Sequence, residues 1–177
     1  MDIPAACKPL IRVSIQQQSF DLAEECRQLA GDIDVGEVGA QASFIGLVRG
    51  SEPAAAEQQS IQRPSQHANQ TIQALFIEHY PAMTQASIEA ICLTACERWP
   101  ICQARVIHRI GRLAVGEAIV MVLVTASHRE AAFAACEYIM DYLKTSAPFW
   151  KKAIFNDSEH WVSAKHSDQQ ALSKWQR

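Results

Sequence analysis

"ARVIHRIGRLAVGEAIVMVLVTAS", residues 104–127, is the stretch whose reading decides the fold. Its two apolar runs, "ARVIHRI" and "AIVMVLVTAS", have strand length, and "GRLAVGE" between them is a glycine-bearing turn of hairpin length. The second run is apolar at nearly every position, which predicts a strand covered on both faces. Downstream, periodicity predicts a helix from about Ser127 to Lys144, with Ser127 and Glu130 as its capping box. Phe133, Cys136, Met140 and Leu143 form its expected buried stripe.

Upstream, "TQASIEAICLTACERW" (84–99) carries Ile88, Ile91, Cys92, Ala95, Cys96 and Trp99 at helical spacing, and Pro100 stops it. "TIQALFIEHYP" (71–81) reads as a strand, as does "VGAQASFIGLVRG" (38–50), which ends at Arg49. "DLAEECRQLAG" (21–31) is a helix, with an Asp21–Glu24 box, an apolar stripe of Leu22, Cys26 and Leu29, and a stop at Gly31. Residues 50–70 are polar, Gln-rich and interrupted by proline, and are expected to form a long mobile loop. The order α-β-β-α-β-β-α with a mixed tail predicts one α+β domain over residues 1–177, with a mostly antiparallel sheet.

The bulk properties exclude several classes. A chain of 177 residues, 49% hydrophobic and 20% charged, can bury a sizeable core. Its net charge of −3 argues against a general nucleic-acid binder, so any anion site must be a local cluster. The six cysteines form no C-x-x-C pair and no zinc-ligand spacing, and no metal is expected. Cys92 and Cys96 share one helical face and read as small apolar filler. A reducing cytoplasm suits this usage, no signal-peptide core is evident, and no apolar run reaches membrane-spanning length. The expected location is therefore cytoplasmic, with no membrane partner.

Positive charge gathers at the ends of the last helix. At "SHRE" (127–130), His128 and Arg129 occupy a first turn where the helix dipole disfavours cations. Either they pair with acidic residues elsewhere, or they and the free backbone amides form an anion receptor. In "DYLKTSAPFWKKA" (141–153), Lys144 lies about 40° around the helix from Met140, so its stem should be partly covered and its amine should reach the rim. Taken singly, Lys144 complements the dipole, and Lys151 and Lys152 are solvated charges. Together they point to a pocket that receives an anion.

Four blocks, "IEHYPAMT" (77–84), "HRIGRLAVGEAIVMVLVTASHR" (108–129), "DYLKTSAPFWKK" (141–152) and "SDQQA" (167–171), resemble the large, catalytic subunit of molybdopterin synthase. The resemblance spans about residues 36–175, with the blocks in the family order. It implies an α/β hammerhead-type fold with an additional β-rich subdomain. It also implies a sulfurtransferase of molybdenum cofactor biosynthesis. Sulfur would pass from the C-terminal thiocarboxylate of a small ubiquitin-like subunit to cyclic pyranopterin monophosphate, making the dithiolene of molybdopterin. No cofactor is implied. The implied assembly is a heterotetramer, a central homodimer of large subunits with a small subunit at each outer end. Carried over by position, the substrate-binding residues are Arg49, His128, Arg129, Lys144, Lys151 and Lys152, with Lys144 and Lys151 as the catalytic ones. Three positions depart from the pattern: Leu47 where some members have lysine, Ala153 where glutamate is frequent, and Lys165 where some have arginine.

Such chemistry brings a cyclic phosphate and a thiocarboxylate into one pocket, and local Arg and Lys offset their repulsion. Arginine suits bidentate phosphate contact and lysine suits a mobile point charge. The thiocarboxylate sulfur is already an anionic nucleophile, so alignment and charge stabilisation are what the protein must supply. Lys144 could act as a cation or, with a depressed pKa, in proton transfer. Arg129 and Lys144 lie 15 positions apart on one helix, about 22 Å at roughly 1.5 Å per residue, so a shared pocket needs both from different subunits. Two other readings compete: a non-catalytic binding module for a ubiquitin-like tail or a pterin, and a cysteine-persulfide sulfurtransferase with one indispensable cysteine.

Overall fold

The computed structural model describes residues 9–32, 35–51, 71–162 and 166–175. The 104–127 stretch does contain two paired strands, β4 (Ile101–Arg109) and β6 (Ala118–Ala126). Between them, however, Gly111–Ala114 is a strand of its own, β5. The preceding strands are β1 (Leu10–Gln16), β2 (Ala40–Leu47) and β3 (Ala74–His79); β7 (Phe149–Ile154) and β8 (Glu159–Val162) come after. The helices are α1 (Leu22–Ala30), α2 (Pro81–Arg98), α3 (Arg129–Ser146) and α4 (His166–Ser173). The first sheet runs β1-β4-β6-β2 and the second β5-β3-β7-β8. Among the described residues, only the β1–β4 pairing is parallel. The α+β, mostly antiparallel expectation therefore holds, with the strands divided between two sheets.

β6 is the spine of the first sheet. Val120, Val122, Val124 and Ala126 face a core shared with α2 and α3, while Met121 and Leu123 face Leu29 of α1 and Ile107 of β4. Strand alternation sends successive side chains to opposite faces, so a strand buried on both sides must be apolar throughout. α1 is fixed locally by the Asp21 carboxylate, which accepts from the Glu24 amide at 2.8 Å. It is fixed to the sheet by Arg105, which donates to Glu25 at 2.7 Å. Gln103 donates to the Leu29 carbonyl at 3.0 Å and accepts from Thr125, so this buried polar pair is satisfied.

Several expectations need correction. The expected capping box fails: α3 starts one residue later, with His128 at the cap and no side-chain capping bond. Phe133 is 65% exposed, because α3 turns Ala131, Ala132, Ala135 and Ile139 to the core and leaves Phe133 off that face. Cys136, Met140 and Leu143 are buried as expected. β1 escapes the alternation rule because it lies on a sheet edge with mixed exposure. "GRLAVGE" fails as a simple turn because Gly111, at φ +80°, redirects the chain so that residues 111–114 pair with β3. The expected loop at 50–70 lies almost wholly outside the described residues. Among the described residues, no helix is long and apolar enough to cross a membrane.

The sheets meet through rings. His108 of β4 is buried and stacks on Phe149 of β7, with centroids 3.7 Å apart and planes at 15°. Beyond α3, α4 leads to Trp175, whose indole packs edge-on to Trp99 and Tyr138 and donates to Asp141 at 2.9 Å. Lys174 reaches the same carboxylate at 2.9 Å, and Arg98 donates to the Trp175 carbonyl at 2.8 Å.

Two measurements check this packing. A Cβ on Gly39 would lie 2.1 Å from the Ser127 carbonyl oxygen, where backbone must move. Gly39→Ala is therefore expected to lower stability by about 1–3 kcal/mol in urea unfolding. Burial pushes the His108 imidazole down from 6.5 to about 3, and the cation of Lys151 adds to this, as does His79, against a backbone bond to Arg109. Between these values the unfolded chain binds a proton that the folded chain does not. Stability should therefore rise with pH across that window, by up to about 1.4 kcal/mol per unit, and level off above it. His108→Phe should remove one proton from that slope in urea titrations at a series of pH values.

Candidate active site

The six cations fall into three groups. β2 and β6 run antiparallel, with Ala40 opposite Ala126 and Leu47 opposite Ala118. Arg49, two residues beyond β2, thus lies beside the start of β6, whereas His128 and Arg129 come just past its end. The separation along the strand is about 26 Å at roughly 3.3 Å per residue. α3 then returns over β6 and β2, carrying Lys144 back towards the Arg49 end. β7 begins there, since Phe149 stacks on His108, and His108 pairs with Val120 near the start of β6. Arg49, Lys144 and Lys151 therefore occupy one end of the chain, and His128 and Arg129 the other.

Lys152 belongs with neither group. In β7 the side chains alternate, so Phe149, Lys151 and Ala153 face inward, while Trp150, Lys152 and Ile154 face outward. Lys152 donates to Glu159 at 2.8 Å and lies over the rings of Phe76 and Trp161. Strand register places Arg112, Phe76, Lys152 and Trp161 in one row across the outer face of the second sheet. The adjacent lysines of "FWKK" thus lie on opposite faces of the strand. The period of two that a strand imposes is the signal that separates them, once the segment is taken as extended chain.

Arg49 is held by its neighbour. The Val48 amide donates to the Glu117 carbonyl, and the Gly116 amide donates to the Val48 carbonyl, both at 2.9 Å. Gly116 sits at φ +87°, a conformation glycine tolerates without strain. Arg109, buried in β4, braces this turn by donating to Glu117 at 3.3 Å and to the Ala118 carbonyl at 3.1 Å. The Glu117 carboxyl is held below its usual range, chiefly by the Ala114 amide at 2.6 Å and then by Arg109. Val48 packs with Ile77 and Leu113 in a small apolar cluster against which Phe149 also rests. One cluster therefore anchors the neighbours of both Arg49 and Lys151. The residues that do this, Arg109, Glu117 and His108, sit in the 108–129 block, yet no spacing rule singles them out.

Arg49, His128, Arg129 and Lys144 are exposed. Lys144 is thus not half-covered as its spacing predicts, because Leu143 takes the core-facing position beside it. Among the described residues, none of these four forms an ion pair. Of the two sequence readings of His128 and Arg129, pairing with acidic side chains has no counterpart there. The first amides of α3 likewise have no side-chain cap. A helix start of this kind, flanked by cations, can receive an anion.

Three of the cysteines are unsuited to thiolate chemistry. Burial raises the Cys92 thiol to about 12 and those of Cys96 and Cys136 to about 11, so all three stay protonated at neutral pH. Among the described residues no group of three or more His, Cys, Asp or Glu could hold a metal ion.

Comparison with known proteins agrees with this frame. A family profile described as MoaE protein matches residues 15–146. The molybdopterin synthase catalytic subunit of Vibrio cholerae serotype O1 is 42% identical over 165 residues, 93% of this chain and 98% of the relative. The molybdopterin biosynthesis MoaE protein of Burkholderia ambifaria MC40-6 superposes with a TM-score of 0.72 at 40% identity, covering 94% of this chain and 98% of that one. Molybdopterin synthase from Staphylococcus aureus superposes with a TM-score of 0.68 at 26% identity, covering 85% and 96%. The matched profile runs from the end of β1 to the end of α3, and so takes in the spine strand, the braced turn and both cation-bearing ends of the helix: the chain belongs to the MoaE protein family.

Proposed function

We propose that the chain is the catalytic subunit of a molybdopterin synthase, a sulfurtransferase acting on cyclic pyranopterin monophosphate. The sulfur donor is the C-terminal thiocarboxylate of a small ubiquitin-like carrier. Relatives covering nearly the whole chain carry that name, and the cation arrangement supports it. The observation that carries the reading is the division of these cations between the two ends of β6 and α3.

Neither half alone provides for two anions. Arg49, Lys144 and Lys151 at one end and His128 and Arg129 at the other make a full set only when two copies place opposite ends together. The edge strand β2 leaves Phe44 40% and Leu47 54% exposed, and α3, which packs against it, leaves Phe133 65% exposed. Apolar side chains of this size along one edge suit a surface covered by a second copy. In that dimer the arginines hold the phosphate, the lysines neutralise the thiocarboxylate, and the sulfur, already anionic, needs no cysteine to activate it. Lys144 acts as a cation. Lys152, committed to Glu159 on the outer face, supports the sheet and does not bind substrate.

Product formation from purified precursor and thiocarboxylated carrier tests the assignment. Lys144→Ala should lower turnover about 100-fold or more, as for loss of one charge-stabilising group, whereas Lys152→Ala should change it by less than about threefold. Refolding an equimolar mixture of Arg129→Ala and Lys144→Ala chains should restore about a quarter of wild-type activity, because half of the dimers are mixed and each has one intact site of two. Mixed dimers that form and stay inactive would overturn the shared site. Wild-type chain that binds the charged carrier without making product would point to a binding module.

A further inference from the structure

His108 is a costly choice for its position. It lies in β4, 4% exposed and stacked on Phe149, where a leucine or phenylalanine would fill the volume without burying a polar ring. Its Nδ1 lies 2.8 Å from the Arg109 carbonyl oxygen. A carbonyl only accepts, so Nδ1 carries the hydrogen, and this bond fixes both the tautomer and the plane of the ring. Against that plane lies Phe149 at 3.7 Å, and His79 of β3 stacks on the same phenylalanine at 6.2 Å and 25°. Among the described residues, the buried His79 Nδ1 has no hydrogen-bond partner. Phe149 is therefore flanked by two imidazoles, one of them rigidly bonded to backbone.

The start of β7 is met at a second point by Thr84, fully buried in α2, whose one hydroxyl hydrogen is shared between the Tyr80 carbonyl at 2.9 Å and the Pro148 carbonyl at 3.2 Å. Lys151 comes two residues after Phe149 on the same face, with Ile77 and Val162 opposite it. The packing of the Phe149 ring therefore bears on the strand that carries this lysine. The charged or titratable groups bearing on His108 are Lys151 from β7 and His79 from β3, and both disfavour its protonation. Its neighbour Arg109 turns its guanidinium elsewhere, to the Gln17 carbonyl and Glu117. A neutral ring thus sits beside the cation without competing for the same anion.

We propose that His108 is a positioning residue for Lys151, acting through the ring of Phe149. The inference rests on the assignment of Lys151 to the sulfur-transfer site, and the test separates the two. Rates are measured with full-length chain, thiocarboxylated carrier and cyclic pyranopterin monophosphate. His108→Leu, which removes the ring at similar volume, should lower kcat about 10- to 100-fold with KM within about twofold, the scale expected of a misplaced reacting group. His108→Phe, which restores an aromatic plane, should recover most of that loss. In a Lys151→Ala background, His108→Leu should cost less than about a further twofold, because its effect passes through the missing lysine. Should His108→Leu fail to fold, Phe149→Leu takes its place in the same cycle with the same expectation.

Multiplying losses in the double variant would overturn the proposal, as would full activity in the folded single variant. If wild type makes product and Lys151→Ala is impaired, such a result removes only the positioning role. If Lys151→Ala matches wild type, or wild type makes no product, the assignment of the site falls and this inference falls with it.

Discussion

The fold depends on one constraint: β6 is buried on both faces and must be covered by helices on both. From Val120 to Ala126 every side chain is enclosed, odd positions towards α1 and even positions towards α2 and α3. Because α3 must cross back over β6, the ends of the helix and the ends of the strand are bound to coincide in space. Charge placed at either end of α3 is thereby placed at one pole of the molecule or the other. The separation of the cations is a result of the core, not of any arrangement of loops.

How much of this is legible in the sequence depends on where the controlling forces act. Strong local periodicity marks α1, α2, α3, β3 and β6, because each has one face or both committed to a core. β1 is not visible, since a sheet-edge strand with half-exposed residues lacks clean alternation. β5 is hidden by glycines that mark a turn in sequence but here redirect a four-residue strand into another sheet. β7 is obscured because Pro148 signals only where α3 stops, and the strand after it takes its conformation from β3 and β8.

The same division applies to the site. Arg49, His128, Arg129, Lys144 and Lys151 stand out through a family resemblance, and spacing along α3 alone implies that its two ends cannot serve one ligand within a chain. The same resemblance carries over Lys152 beside Lys151, but neighbours in a strand point to opposite faces. The strand sends it instead to Glu159 and the outer rings. His108, Arg109 and Glu117 lie in the 108–129 block, but no spacing rule singles them out. Their importance lies in partners 40 or more positions away, or in turn geometry that only the assembled sheets define.

The segment that ends in Trp175 has a mechanical consequence for α3. Asp141 accepts both the Trp175 indole and the Lys174 ammonium, and it sits three residues before Lys144. A helix released at its C-terminal end ordinarily frays, its last carbonyls unwinding into solvent. Here a leash from beyond the second sheet is knotted one turn short of the tip. Cutting that leash would let the tip unwind while the central core stayed intact, and the charge it carries would wander without the molecule unfolding.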